Sequence, residues 1–393
     1  MGRYFASRLG QLILTLFIYI TLVYFILQAM PGDITQALVF NPRIPQSARA
    51  ALQHQLGLDA PLVVQYFHYV RNFFTGNLGV SFSHYPRPVW NILAERIPRT
   101  LLLFTTSTLL SFYVGYILGR VIAWRRGGFV DYGATVVGVT FWTAFYPLLA
   151  LILIWLFASE LHWLPLNQFI SPTLWLDAPV TSNTIFHYMI LSLAGAALLL
   201  ALVYALVPRW VRRPSSRCWV TRGAWVVALA GLVSGWWASG YAALAWDIVS
   251  HMVLPVVTLT LISFAGNMLL MRDSMLETTR EDYVLAARAK GLPDRVVRDR
   301  HAARTALLPV VTSFALSLGS VMGGGLVTET VFSWPGLGQI LFDAAIQADY
   351  PLATGALAFT GIFVLVAHLV ADVLYAWLDP RISVVSSESE AST

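Results

Sequence analysis

The amino-acid sequence predicts an all-α integral membrane protein. Of its 393 residues, 57% are hydrophobic and only 11% are charged, and the mean hydropathy is +0.67. A soluble domain carries about 25% charged residues, so this chain holds less than half the usual complement. Such a composition excludes a soluble globular enzyme, a disordered protein and a nucleic-acid binder. Cys218 is the single cysteine, which leaves no intrachain disulfide and no cysteine-based metal cluster. It reads as an incidental thiol.

A membrane-crossing helix needs about 20 mostly apolar residues at a rise of about 1.5 Å each. Eight predominantly apolar runs meet that length, at 9–30, 100–119, 132–159, 185–207, 223–246, 251–271, 309–332 and 352–378, the last two each carrying a single acidic residue. The first is too long for a secretory signal core, and Gln28-Ala29-Met30-Pro31 offers no small-x-small cleavage site. It is expected to stay as an anchor. The whole chain, 1–393, reads as one transmembrane domain.

Orientation follows from the basic residues, which gather on the cytoplasmic side. With the N-terminus inside, nineteen Arg and Lys face the cytoplasm, and the six outside all fall in one loop, 31–99. Both termini are therefore expected in the cytoplasm, with 382–393 a disordered tail. The 31–99 loop is amphipathic: Leu56-Gly57 reads as a helix end, and 61–74 repeats apolar residues at helical spacing. Residues 171–246 read as an inserted two-span hairpin. Its turn, 208–222, is rich in arginine and is expected to be a positive-inside anchor rather than a lipid-headgroup or partner site.

Some chemistry is excluded by what the chain lacks. A phosphate-binding P-loop requires Gly-Lys, but the one lysine, Lys290, follows Ala289. No two histidines stand at i, i+4, and no Gly-x-Ser-x-Gly elbow occurs. Charges inside spans are costly, about 2.5–3.5 kcal/mol on insertion scales. His368 and Asp372 share one face of the last span and are expected to pair. Glu329, near the outer end of its span, is expected to be satisfied by water or a helix partner.

The most charged stretch is 272–308. Thr278 with Glu281, and Thr279 with Asp282, fit a helix-start signature. The helix then runs to Lys290, with Gly291 as a left-handed cap, Pro293 as a stop and Asp294 as the cap of a second helix, 295–308. Ala286, Ala287 and Ala289 form a face with little side-chain bulk. Such a face suits a helix lying in a partner's groove; an ordinary solvated loop helix has the same composition.

This stretch carries a family resemblance. Asp282-Tyr283-Val284-x-x-Ala287-Arg288-Ala289-Lys290-Gly291-Leu292, followed by Arg300-His301-Ala302 and Leu308-Pro309, resembles the "EAA" coupling segment of ATP-binding-cassette (ABC) importer permeases. The version is that of the dipeptide/oligopeptide/nickel group, with Leu285 where the naming glutamate would stand. Met30-Pro31-Gly32-Asp33, Gly76-Asn77-Leu78-Gly79-x-Ser81-Phe82, His251-x-x-Leu254-Pro255, the run from Glu329 to Gly338, Asp349-Tyr350-Pro351 and Asp372-x-x-Tyr375-x-x-Leu378-Asp379-Pro380-Arg381 agree with it. The resemblance covers about 3–170 and 247–381 and leaves out 171–246.

The resemblance implies a type I importer core of six helices, to which the hairpin adds two. It implies a prokaryotic inner-membrane permease subunit, itself no enzyme and with no cofactor of its own. Its partners would be a second, similar permease, two cytoplasmic ATPase subunits that bind ATP and Mg, and an extracytoplasmic substrate-binding protein, with lipid around them and no nucleic acid. Glu281, Asp282, Tyr283, Ala286, Ala287, Ala289, Lys290, Gly291 and Leu292 would couple to the ATPases. The pathway would be lined from spans 251–271 and 309–332, with Asn267, Ser317, Ser320 and Gly323 as candidates. Peptides are the expected substrates, ahead of nickel chelates, glutathione and oligosaccharides. A secondary transporter is the rival from another class; it would want internal repeats and intramembrane charges, which the chain largely lacks.

Overall fold

The structure is a computed structural model, and it describes residues 2–29, 34–39, 41–57, 59–210, 214–321 and 325–378. Helix α1 (Gly2–Ala29) is followed by three short helices, α2 (Ile34–Val39), α3 (Gln46–Leu56) and α4 (Leu62–Phe74). Next come α5 (Val89–Trp124), α6 (Phe129–Thr143) and α7 (Tyr146–Ile154), the last continued by a π-helical segment, Trp155–Glu160. Then follow α8 (Pro172–Trp175), α9 (Ser182–Trp210), α10 (Pro214–Ala238), α11 (Ala242–Thr278) and α12 (Asp282–Ala289). Helix α13 (Asp294–Val296) passes through a π turn, Val297–Ala302, into α14 (Ala303–Val321). Helices α15 (Leu326–Val331), α16 (Leu337–Ile346) and α17 (Tyr350–Leu378) complete the described residues. Among the described residues there is no strand, only an isolated bridge between Val80 and Pro88.

Helices occupy all eight expected spans, but not as drawn from the sequence. Among the described residues five are long and apolar enough to cross a membrane, or six if the bent pair α6–α7 counts as one. That pair replaces the expected straight span 132–159 and bends by 103°. Pro147 explains where the second part restarts: it lacks an N–H and is best accommodated in the first turn of a helix. Span 309–332 also divides, into α14 and the separate α15, with 322–324 outside the described residues. The second hairpin arm ends at Ala238 rather than 246. Gly240, at φ +77°, turns the chain into α11. Finally, α5 starts at Val89, eleven residues before the expected span. Arg96 and Arg99 break the apolar run without breaking the helix. The 382–393 tail lies outside the described residues.

The chain forms two compact units, Met1–Leu153 with Pro255–Thr393, and Ile154–Leu254. In the first, α1, α5, α16 and α17 share a core that includes Val23, Leu27, Leu93, Ile340 and Leu352. Helix α5 meets α11 along Ser107, Ser111, Gly115 and Gly119, four buried small residues at four-residue spacing. A Cβ on Gly115 would stand 2.6 Å from the Asn267 Cβ and 2.9 Å from the Met268 amide nitrogen, so only glycine allows the approach. The second unit is built on the α9–α10 hairpin, where the Trp236 indole donates to Ser192 Oγ (3.3 Å). Asp247 anchors its remaining loop by accepting from the Ser171 amide (2.9 Å), Ser171 Oγ (2.7 Å) and the Trp175 indole (2.8 Å). Leu191, Leu198, Val226 and Trp237 lie exposed on the hairpin.

Candidate functional site

The 272–308 segment forms a compact projection in which one short helix is held from beneath. Helix α12 follows α11 after a three-residue turn, and its amide ladder starts at Glu281 without a side-chain cap. The expected capping pairs therefore do not form. The hydroxyls of Thr278 and Thr279 donate backward, to the Ser274 and Leu276 carbonyls (2.8 and 2.9 Å), and close α11 instead. Asp294 is likewise the first helical residue of α13, not its cap, which is Pro293. Gly291 takes the left-handed conformation expected of it, at φ +73°. Nothing lies within 4 Å of the place its Cβ would occupy, so conformation and not space requires glycine there.

The alanine face divides. Ala287 is 5% exposed and packs with Val284, Met271, Met275, Val297 and Ala302 in one buried cluster. It faces the chain's own core, which corrects the reading of 286, 287 and 289 as a single outward face. Alanine has too little character to mark a side, and Val284 three residues earlier sets the buried stripe. Glu281, Asp282, Tyr283, Ala286, Ala289, Lys290, Gly291 and Leu292 are all exposed.

Ionic contacts fix this projection to its neighbours. Asp299 is paired bidentately with Arg298 (2.7 and 3.1 Å) and stands 3.6 Å from Arg120 at the end of α5. Arg288 of α12 lies over the Trp124 ring, 4.9 Å from its centroid. Buried Asp131 accepts from Arg272 Nε and Nη2 (2.8 and 3.1 Å) and from the Gly127 amide (3.0 Å), which ties the 125–131 turn to α11. No motif announces these pairings; in the sequence the arginines read only as markers of sidedness.

The hydrogen bonds from Arg298, with the charges of Arg120 and Arg295, hold the Asp299 carboxyl below the usual carboxylate range. A depressed folded-state pKa adds stability that is complete above the unfolded value, about 3.9, and is lost as pH falls through the folded value. Amide exchange in 294–303 is therefore expected to accelerate on acidification below about pH 4, and Asp299→Asn to be fast at neutral pH. Exchange in the variant matching the parent at pH 7 would show that the carboxylate holds nothing.

At the other end of α5, two buried carboxyls cap helices. Glu329, fully buried, accepts from Thr100 Oγ1 (2.7 Å) and from the Gly338 and Gln339 amides at the start of α16 (2.7 and 3.0 Å). Its partners are a helix end and a hydroxyl, consistent with one of the two expected ways of satisfying it. Asp349 accepts from Ser81 Oγ, from the Ser83 amide and Oγ (2.8 and 2.6 Å) and from the Leu352 amide (3.1 Å). It so joins the loop before α5 to the start of α17. A 36-residue helix is about 54 Å long, so these caps and the Asp299 cluster lie at opposite ends of the unit.

Of the pathway candidates, Asn267 is half-buried and donates from Nδ2 to Ser111 Oγ (3.0 Å). Ser317 donates to the Ser313 carbonyl (2.8 Å). Gly323 and the side chain of Ser320 lie outside the described residues, as does that of Asp372. His368 Nδ1 is 2.7 Å from the Val364 carbonyl oxygen. Among the described residues no group of three His, Cys, Asp or Glu side chains is placed to hold a metal.

Membrane-length helices around a compact charged projection define a multi-pass membrane protein. Two family models match it: the binding-protein-dependent transport system inner membrane component over 219–384, and the N-terminal region of such components over 1–104. The first match includes 219–246, which the motifs had left outside the resemblance. A di/tripeptide transport system permease protein of Pseudomonas aeruginosa (strain UCBPP-PA14) is 31% identical over 382 residues, covering 97% of this chain and 99% of that protein. The dipeptide transport system permease protein of Escherichia coli (strain K12) is 31% identical over 385 residues, with the same coverage. An oligopeptide transport system permease protein of Bacillus subtilis (strain 168) is 30% identical over 367 residues, covering 92% of this chain and 93% of that protein. The chain belongs to the binding-protein-dependent transport system inner membrane components. It is the permease subunit of an ABC importer, a membrane subunit and not a catalytic one.

Proposed function

We propose that this chain forms half of the transmembrane pathway of an importer for di- and oligopeptides, with a second permease as the other half. The observation that carries the coupling role is α12. Its exposed face of Tyr283, Ala286, Ala289 and Lys290 stands on a buried Val284 and Ala287, so a force on the face passes into the α5–α11–α14 core. Two ATPase subunits dock there from the cytoplasm and hydrolyse ATP with Mg. Their closure biases the permease between two states in proportion to how differently they bind each one. The binding protein delivers substrate at the opposite end of α5, over the 34–99 helices. Both termini are cytoplasmic in this arrangement, as the basic residues indicate. The peptide assignment is supported by the names of the relatives, which transport dipeptides, di/tripeptides or oligopeptides.

Uptake by proteoliposomes holding both permeases, the ATPases and the binding protein tests this directly. ATP-dependent accumulation of a labelled dipeptide or tetrapeptide is expected. Uptake of a nickel chelate, glutathione or an oligosaccharide in place of peptide would reassign the substrate. Transport by this chain alone, driven by an ion gradient, would mean a secondary transporter.

The pathway runs along α11 and α14. A cysteine at Ser317 is expected to react with a membrane-impermeant thiol reagent at rates that differ at least threefold between the ATP-bound and nucleotide-free complexes. Equal rates in the two states would remove Ser317 from the pathway.

A further inference from the structure

The turn between α5 and α6 presents a basic and aromatic tip. Arg125, Arg126 and Phe129 are all exposed, and Phe129 keeps 92% of its surface. The tip is held from behind. The Gly128 amide donates to the Arg125 carbonyl (3.1 Å), and the Asp131 amide to the Gly128 carbonyl (3.0 Å). Asp131 is itself buried, and its bonds from Arg272 and the Gly127 amide tie the turn to α11. A backbone fixed in this way loses less freedom when a ligand arrives.

The charges on the tip are not neutralised by the chain. Asp131 is the only acidic residue between Glu95 and Glu160. It pairs with Arg272, not with Arg125 or Arg126. Two guanidinium groups therefore stand exposed without a carboxylate partner among the described residues.

The place of the tip says which anion meets them. Residues 129–143 are the first part of the bent apolar pair, so Phe129 stands where that apolar stretch begins. Phe129, Tyr132 and Val136 follow one another at helical spacing and are all exposed. One stripe thus runs from the arginines into the apolar part of α6. A soluble anion would match the arginines and leave the stripe in water, and a hydrocarbon alone would do the reverse. An anionic phospholipid matches both. Basic residues beside a span are drawn to acidic headgroups, and aromatic rings settle at headgroup level.

We propose that the 125–132 turn seats an anionic phospholipid, with Arg125 and Arg126 at its headgroup and Phe129 and Tyr132 along the top of its acyl chains.

The assembled complex in vesicles of phosphatidylethanolamine and phosphatidylglycerol tests this. Two probes are compared, a phosphatidylglycerol and a phosphatidylethanolamine, each with a photoreactive diazirine near the start of one acyl chain. Labelling of the 121–136 peptide is normalised to that of the exposed face of α9. The phosphatidylglycerol probe is expected to label the turn at least fivefold more than the other, since one basic residue at an acidic surface is worth about fivefold. Arg125→Gln with Arg126→Gln should bring it down to the phosphatidylethanolamine level, whereas Arg125→Lys with Arg126→Lys should keep the preference. Phe129→Ser should lower labelling by both probes. Equal labelling by the two probes in the parent overturns the proposal, as does a preference that survives in the glutamine pair or is lost in the lysine pair. Labelling of the isolated chain that vanishes in the complex would mean that a protein partner covers the turn. Loss of the ATPase subunits from the glutamine pair on pull-down would assign the turn to them, and either result overturns the proposal too. If the glutamine pair fails to accumulate, Arg126→Gln alone decides, with a two- to fivefold drop expected and no drop counting against the site.

Discussion

Glu329→Ala is expected to cut the folded protein recovered from membranes severalfold. The carboxyl accepts from Thr100 Oγ1 and from the Gly338 and Gln339 amides, all in a fully buried site. Its removal strands three donors at about 1–3 kcal/mol each, a large part of the 5–15 kcal/mol that typically holds a protein folded. Glu329→Gln keeps one carbonyl for the two amides and is expected to fall between the two. Membrane-fraction yield and thermal unfolding in detergent measure this. Parent-like values for the alanine variant would mean that the network adds nothing to stability.

The second large effect is on transport and leaves the fold intact. Gly291→Val forces a β-branched residue into the left-handed region at a cost of about 1–2 kcal/mol. No neighbour lies within 4 Å to clash with the new side chain. The strain is local, so α12 reorients relative to α13 while the spans stay assembled. Normal membrane levels are expected, with ATPase subunits lost on pull-down and uptake reduced at least tenfold. Ala287→Trp acts differently, because Ala287 faces inward. The indole would overpack the cluster around Met271 and Met275 by about 1–3 kcal/mol and displace the whole projection, so this variant should also lose thermal stability. Normal ATPase recovery and uptake in both variants would mean that α12 is not the coupling element.

Local chemistry was legible in the sequence, and long-range pairing was not. Gly57 and Gly291 end helices at φ +70° and +73°, and Pro61 precedes α4, as turn-forming residues announce within a few positions. The spans were visible as apolar runs, yet their ends were not, since helix α5 continues through Arg96 and Arg99. The inward turn of Ala287 was hidden because two adjacent alanines look alike until Val284 is placed. Asp131 finds Arg272 across 141 positions, and Asp349 finds Ser83 across 266. No spacing rule connects such residues; only the packed helices bring them together.

The seam between α5 and α11 has an electrical consequence. A cell membrane holds a voltage, and a transporter that leaks protons or sodium would discharge it with every cycle. At Gly115 and Gly119 the two backbones come so close that a Cβ would stand 2.6 Å from the Asn267 Cβ and 2.5 Å from the Met268 carbonyl oxygen. The hydroxyls there are already engaged, Ser107 with the Leu103 carbonyl (2.8 Å) and Ser111 with Asn267 (3.0 Å). A file of water needs both room and free polar groups, and this contact offers neither. Small residues here act as insulation: the gasket that lets a large solute be moved elsewhere without short-circuiting the membrane.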